Sequence, residues 1–374
     1  MKLSQDPQFT PEQELLLWAI RVDHTKDQRV AEILAAGVEW AYVRETAIQH
    51  GIIPLLYKQL KEEMADLVPL DELATLRALF VANAARNIRM TQHLLKVLDL
   101  LAGSGVEAMP FKGPVLAVQA YGDLSMRSFG DLDILIHTRD QDRIYQLMDG
   151  QVYILTRPGQ NSLEERLRIF QQKDCRFSLQ NTIFEIHWNI IEQLYAVPFD
   201  MDPVWHRSLM VSILGREMKT LSLEDTIIVL CFHGFKHGWQ KLNWLADLIY
   251  TISNHPDLQW HDVIVRAETL GVKRIVLIGL FLAQKHGGAT CGPEIETLFV
   301  SDTTIQNLAS KIQCDMLLCR TLAVKPFLFM LARERFNDKY MFLFYYCTNK
   351  FLVFLKWIVR HITGIRTSPG EETG

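Results

Sequence analysis

Three things are scarce in this chain of 374 residues: paired cysteines, net positive charge and long apolar runs. The six cysteines, at 175, 231, 291, 314, 319 and 347, include no Cys-x-x-Cys pair, and the spacing of Cys314 and Cys319 fits no standard zinc knuckle. Reduced thiols in a cytoplasmic protein are the expectation. Met1 to Pro7 lacks the apolar core of a signal peptide. A formal net charge of −4 gives no global attraction to a phosphate backbone, so no nucleic-acid partner is expected. The most apolar segment, residues 340–362, is interrupted by Lys350, Lys356 and Arg360, which leaves no run of about twenty apolar residues to span a membrane. It reads either as a buried helix with a basic edge or as an interfacial helix in peripheral contact with a membrane or partner. With 49% apolar and 22% charged residues, the composition is that of a globular chain, not of a disordered one.

What is present is organised in three parts, as expected at roughly 100–200 residues per domain. Residues 10–104 carry apolar side chains near the helical period almost throughout, and Thr10-Pro11-Glu12 supplies a hydroxyl cap with proline in the first turn. Leu70 to Leu101 is rich in alanine and contains neither Gly nor Pro. After Gly103-Ser104-Gly105 the pattern changes. Short β-like runs at 106–111, 131–137, 151–155, 175–179 and 182–188 alternate with helical runs at 114–121, 141–148 and 162–171. Gln180-Asn181 marks a hairpin between the last two strands. From Leu223 the chain is helical again, at 224–239, 242–253, 260–270, 272–286, 303–330 and 340–362, with Gly287-Gly288 and Pro293 in a loop. Ser222 caps an acidic first turn. The expected division is a helical region over 1–104, a mixed core over 105–220, a helical domain over 221–366 and a disordered tail over 367–374.

The chemistry concentrates in the middle part. Asp131 and Asp133 flank Leu132 at the mouth of an apolar strand, so their side chains share one face and repel each other. A cation is the ordinary remedy, and hard oxygen ligands with room for water and phosphate suit Mg²⁺. Lys112-Gly113 stands between a short strand and a helix, where glycine lets backbone N–H groups approach a phosphate at the positive helix end. Arg127, four residues before Asp131, carries a planar fork suited to phosphate oxygens. Downstream, Phe184-Glu185-Ile186-His187-Trp188 puts Glu185 and His187 on one strand face, with Glu185 as a third carboxylate.

Together Lys112-Gly113, Arg127, Asp131-x-Asp133 and Glu185-Ile186-His187-Trp188 resemble the nucleotidyltransferases of the DNA-polymerase-β type, and most closely an uncharacterised bacterial family among them. The resemblance runs from about residue 10 to about residue 290. It implies an α+β, predominantly helical protein in which a small mixed β-sheet nucleotidyltransferase core is flanked by N- and C-terminal helical regions. It also implies transfer of a nucleoside monophosphate from an NTP, expected to be ATP, to a hydroxyl or similar group of a small-molecule or peptide/protein acceptor. Two Mg²⁺ ions are implied on Asp131, Asp133 and Glu185, which are then also the catalytic residues. Lys112, Gly113, Arg127 and His187 are the implied nucleotide-binding residues. Gly113 is followed by Pro114, which has no N–H, so one phosphate-cradling donor found in the wider superfamily is missing here.

Plainer readings stand beside these. Lys112 snorkels from a strand end, Arg127 pairs with Asp131 or Asp123, and Glu185 is a solvated edge residue. His187 orients Glu185, ligates metal, or sits under Trp188. His233 and His237 have the i, i+4 spacing of a zinc protease helix, but Gly234 stands where the Glu base belongs, which excludes that chemistry. Lys236, His237, Trp239 and Asp247 are instead expected near the cleft. The competing function is a non-catalytic nucleotide-binding, scaffold or regulatory protein that retains the fold.

Overall fold

The computed structural model describes residues 9–23, 27–148, 153–154, 174–316 and 326–363. The helix expected at 162–171 and the tail at 367–374 lie outside them.

Among the described residues the α-helices α1 (Pro11–Trp18), α2 (Gln28–Ala36), α3 (Trp40–His50), α4 (Ile53–Glu63) and α5 (Leu70–Gly103) come first. The α1 start is a full capping box, in which the Thr10 hydroxyl accepts from the Gln13 N–H and the Gln13 side chain accepts from the Thr10 N–H. The middle part contains β1 (Ala108–Pro110), α6 (Gly113–Tyr121), β2 (Asp131–Ile136), α7 (Gln141–Met148), β3 (Tyr153–Ile154), β4 (Asp174–Leu179) and β5 (Thr182–His187). These strands form one mixed sheet in the order β1-β2-β5-β4-β3, with β2 and β5 parallel and the other neighbours antiparallel. Gln180 and Asn181 both have left-handed φ, as the expected two-residue hairpin demands.

A helix α8 (Met201–His206) and a hairpin β6 (Leu209–Ile213) to β7 (Arg216–Thr220) follow, and the sequence reading contained neither. The helices that complete the chain are α9 (Leu223–Lys236), α10 (Leu242–Asn254), α11 (Trp260–Thr269), α12 (Lys273–Gly287), α13 (Pro293–Ser301), α14 (Thr303–Met316), α15 (Pro326–Ala332) and α16 (Phe336–Thr363). One expectation is corrected here. Pro293 opens α13 instead of sitting in a loop, because proline's missing N–H is harmless in a first turn. Of the helix expected over 303–330, the described residues show α14 and α15, and residues 317–325 lie outside them.

Two cores hold the molecule. The sheet buries one face (Leu132, Ile134, Phe184, Ile186, Cys175 and Phe177) against Met90, Leu94, Val97 and Leu98 of α5 and Val115 of α6. The other core is shared by both ends of the chain: Leu15, Leu16 and Trp18 of α1 belong to the same cluster as Ile275 and Leu280 of α12 and Phe342 of α16. Backbone contacts join them as well, from the Val22 N–H to the Gly287 carbonyl at 3.1 Å and from the Leu242 N–H to His50 Nδ1 at 3.2 Å. Burial, with Lys241 nearby, pushes His50 down to about 4, so its ring remains neutral at pH 7 and Nδ1 can accept. Among the described residues no helix is long and apolar enough to cross a membrane. In α16, Phe342 packs on Phe329 while Phe336, Tyr340, Phe344 and Phe351 are exposed.

Candidate active site

The sheet register assembles the site. Asp133 on β2 lies opposite Glu185 on β5, and Glu185 lies opposite Arg176 on β4. One step along, Asp174 lies opposite His187. Directly opposed residues share a sheet face, so three strands put Asp131, Asp133, Glu185, His187, Asp174 and Arg176 on one surface. Asp131 is exposed at its mouth, whereas Asp133, Glu185 and His187 are buried. His187 Nε2 is 2.9 Å from Asp133 Oδ1 and 3.6 Å from Glu185 Oε2. Arg176 Nε reaches Glu185 Oε1 at 2.7 Å.

The short β1 strand explains how Lys112 arrives there. Its pairing with β2 continues through the Phe111 N–H to the Asp133 carbonyl, after which the chain turns into α6 and leaves Lys112 beside the acids. Lys112 Nζ is 3.4 Å from Asp133 Oδ1. Burial alone would lower its pKa, but Asp133, Asp131 and Glu185 override that and hold it above the ordinary value. Burial, then the Asp133 charge, raises Glu185, and Asp131, though exposed as a residue, is raised by the packing around its carboxyl and by Asp133. Carboxylates crowded in this way are a donor set that a divalent cation fits. Asp133, Glu185 and His187 each offer a ligand atom, and these atoms lie within 4.8 Å of one another.

Gly113 and Arg127 each have structural constraints of their own. Gly113 has φ +52, and a Cβ there would stand 3.4 Å from both the Asp131 carbonyl oxygen and Leu132 Cδ2. It packs against β2, and its left-handed φ is what favours glycine there. Arg127 pairs with neither Asp131 nor Asp123. Its Nε and Nη2 donate to Asp247 of α10 at 2.9 Å each, and Tyr121 also donates to that carboxylate at 2.9 Å. The pair is buried, with Arg127 still on the cleft wall. Asp247 thereby gains the role that sequence left open: it locks the C-terminal helices to the loop entering β2.

That loop is held from its other side by α5. Asn87 Nδ2 donates to the carbonyls of Leu124 and Arg127 at 2.7 Å each, Asn83 to that of Ser125 at 3.0 Å, and Arg86 Nη2 to that of Phe129 at 2.6 Å. Sequence reasoning missed these three positions. A signal existed, because Asn83, Arg86 and Asn87 recur at i, i+3 and i+4 on one face of an otherwise helix-favouring stretch.

Facing the acids across a cleft of about 530 Å³ are α9 and α10. The rings of His233, His237 and Trp244 cluster there, with centroids 4.8 to 5.3 Å apart. Lys236 lines the same wall and bonds Glu192. Trp239, expected at the cleft, is fully buried instead. Its indole lies over Gly234, where a Cβ would come within 2.6 Å, and against Gly279 of α12. The glycine between the two histidines exists for that packing.

Residues 36–288 match the protein family described as "Uncharacterised nucleotidyltransferase", a span of more than half the chain. No curated protein matches it.

Proposed function

The chain belongs to the uncharacterised nucleotidyltransferase family, and on that premise we propose that it transfers an NMP from an NTP, with ATP the favoured donor, to a hydroxyl or similar group of a small-molecule or peptide/protein acceptor. One observation carries the reading: Asp133 and Glu185 converge beside Lys112 at the floor of a cleft large enough for a nucleotide. Asp133 and Glu185 would hold one Mg²⁺, and Asp131 with Asp133 a second that arrives with the nucleotide. Bound Mg²⁺ supplies charge for the oxygens of the α-phosphate and of the leaving pyrophosphate.

The chain's own groups do the rest. Lys112, a half-buried ammonium with three acidic neighbours, meets the phosphates as a point charge once cations offset those acids. Glu185, whose pKa is raised by burial and Asp133, is suited to take the acceptor's proton. The His233–His237–Trp244 cluster forms the opposite wall, where a base or acceptor ring can stack. In the reaction the acceptor oxygen bonds to the α-phosphorus, the bond to the bridging oxygen breaks, and pyrophosphate leaves.

Incubation with α-labelled NTPs, Mg²⁺ and an acceptor panel tests this. Labelled acceptor and pyrophosphate are expected from the wild type, and Asp133→Ala or Asp131→Ala should each lower turnover by about a thousandfold or more. A second reading, nucleotide binding without catalysis, draws on Pro114, which lacks one of the N–H donors that would hold a triphosphate in line. NTP binding indifferent to Mg²⁺ removal and to Asp131→Asn, with no pyrophosphate from any NTP, would decide for it.

A further inference from the structure

His187 is not accounted for by carboxylate-bound Mg²⁺. It is fully buried, on β5, with one ring nitrogen directed at each of two acidic groups. Nε2 stands 2.9 Å from Asp133 Oδ1, and Nδ1 stands 3.6 Å from Asp174 Oδ2 with no hydrogen bond of its own. Either neutral tautomer therefore turns a lone pair towards a carboxylate. With the proton on Nε2, the Asp133 contact is satisfied and Nδ1 faces Asp174 unprotonated. With the proton on Nδ1, Asp174 is satisfied and Nε2 presents its lone pair to Asp133 and Glu185. A cation seated on Nε2 of the Nδ1-protonated ring removes the conflict; a second ring proton would also remove it, but would leave no nitrogen bound to metal. A carboxylate behind the second ring nitrogen is also the usual support of a metal-bound histidine, because it fixes the tautomer and the ring plane.

We propose that His187 Nε2, with Asp133 and Glu185, forms a mixed nitrogen–oxygen site for one resident first-row transition ion, for which Asp174 is the positioning residue. The inference rests on the same site as the proposed nucleotidyl transfer and deepens it. Imidazole nitrogen gains little with Mg²⁺ and considerably more with Mn²⁺ and its heavier neighbours. Asp131, exposed and outside this convergence, is left for the ion that enters with the nucleotide.

Mn²⁺ alone, added to the metal-stripped full chain without nucleotide, is the probe. One tightly bound ion is expected, held at least about tenfold more tightly than Mg²⁺ in competition, and with pulsed-EPR modulation from a coordinated imidazole nitrogen. His187→Gln should abolish that modulation and weaken Mn²⁺ by about tenfold or more. Asp174→Asn should weaken Mn²⁺ by about tenfold while keeping the nitrogen signal, which guards against a His187 variant that merely misfolds. Absence of Mn²⁺ binding, Mn²⁺ without nitrogen modulation, or modulation that survives in His187→Gln would each overturn the inference. Pyrophosphate release separates it from the functional proposal. Nitrogen-coupled Mn²⁺ without turnover keeps the site and removes the reaction, whereas Mg²⁺-driven turnover unaffected by His187→Gln does the reverse.

Discussion

Asp247 determines what Arg127 is able to do. A guanidinium that spends two N–H groups on a buried carboxylate holds its own position first and meets a ligand only with what is left. Removing one member of such a pair leaves an uncompensated buried charge, which typically destabilises by about 3–5 kcal/mol. Asp247→Asn should therefore lower unfolding free energy by about 3 kcal/mol in urea titrations. The joint replacement Arg127→Leu/Asp247→Leu should restore most of that loss, since no charge is left buried. Were the joint variant as unstable as the single one, the pair would be doing more than satisfying itself.

At the scale of elements, the parts legible in sequence were those governed by local chemistry. The Thr10 cap, the Gln180-Asn181 turn and the strand carrying Asp131 and Asp133 all rest on short-range rules, and all are present. The three acids and Lys112 were legible because their residue types and strand alternation already imply convergence. What sequence did not show were partnerships made across long separations: Arg127 with Asp247, the α5 stripe with the loop before β2, and Trp239 over Gly234. The β6–β7 hairpin was overlooked although Leu214-Gly215 supplies two left-handed turn residues between alternating strands. Gly234 offers a clean test of the packing account. Gly234→Ala should destabilise by about 1–3 kcal/mol, through a Cβ driven into the Trp239 indole, and shift that buried residue's fluorescence. An unchanged urea midpoint would sink it.

For the molecule as a whole, the acidic cluster couples stability to pH and, at the proposed metal site, to cations. The folded chain holds protons on Asp131 and Glu185 more tightly than their ordinary values of 3.8 and 4.5, because burial and then Asp133 oppose ionisation. Their contribution to stability is thus complete below about pH 4 and is lost as pH rises through the folded values. Without divalent ions, the melting temperature of Glu185→Gln relative to wild type should rise as pH increases across that window. Saturating Mn²⁺ should reverse the order, because an ion at a hundred times its dissociation constant stabilises the wild type by about 2.7 kcal/mol. Differential scanning calorimetry in EDTA and in Mn²⁺ reads both.

The core that joins α1 to α12 has a consequence for how the protein is made. Leu15, Leu16 and Trp18 leave the ribosome long before Ile275 and Leu280 exist to cover them. Until then α1 has only the neighbouring helices α2 to α4 to pack on, so the part of its apolar face that meets α12 is open for most of translation.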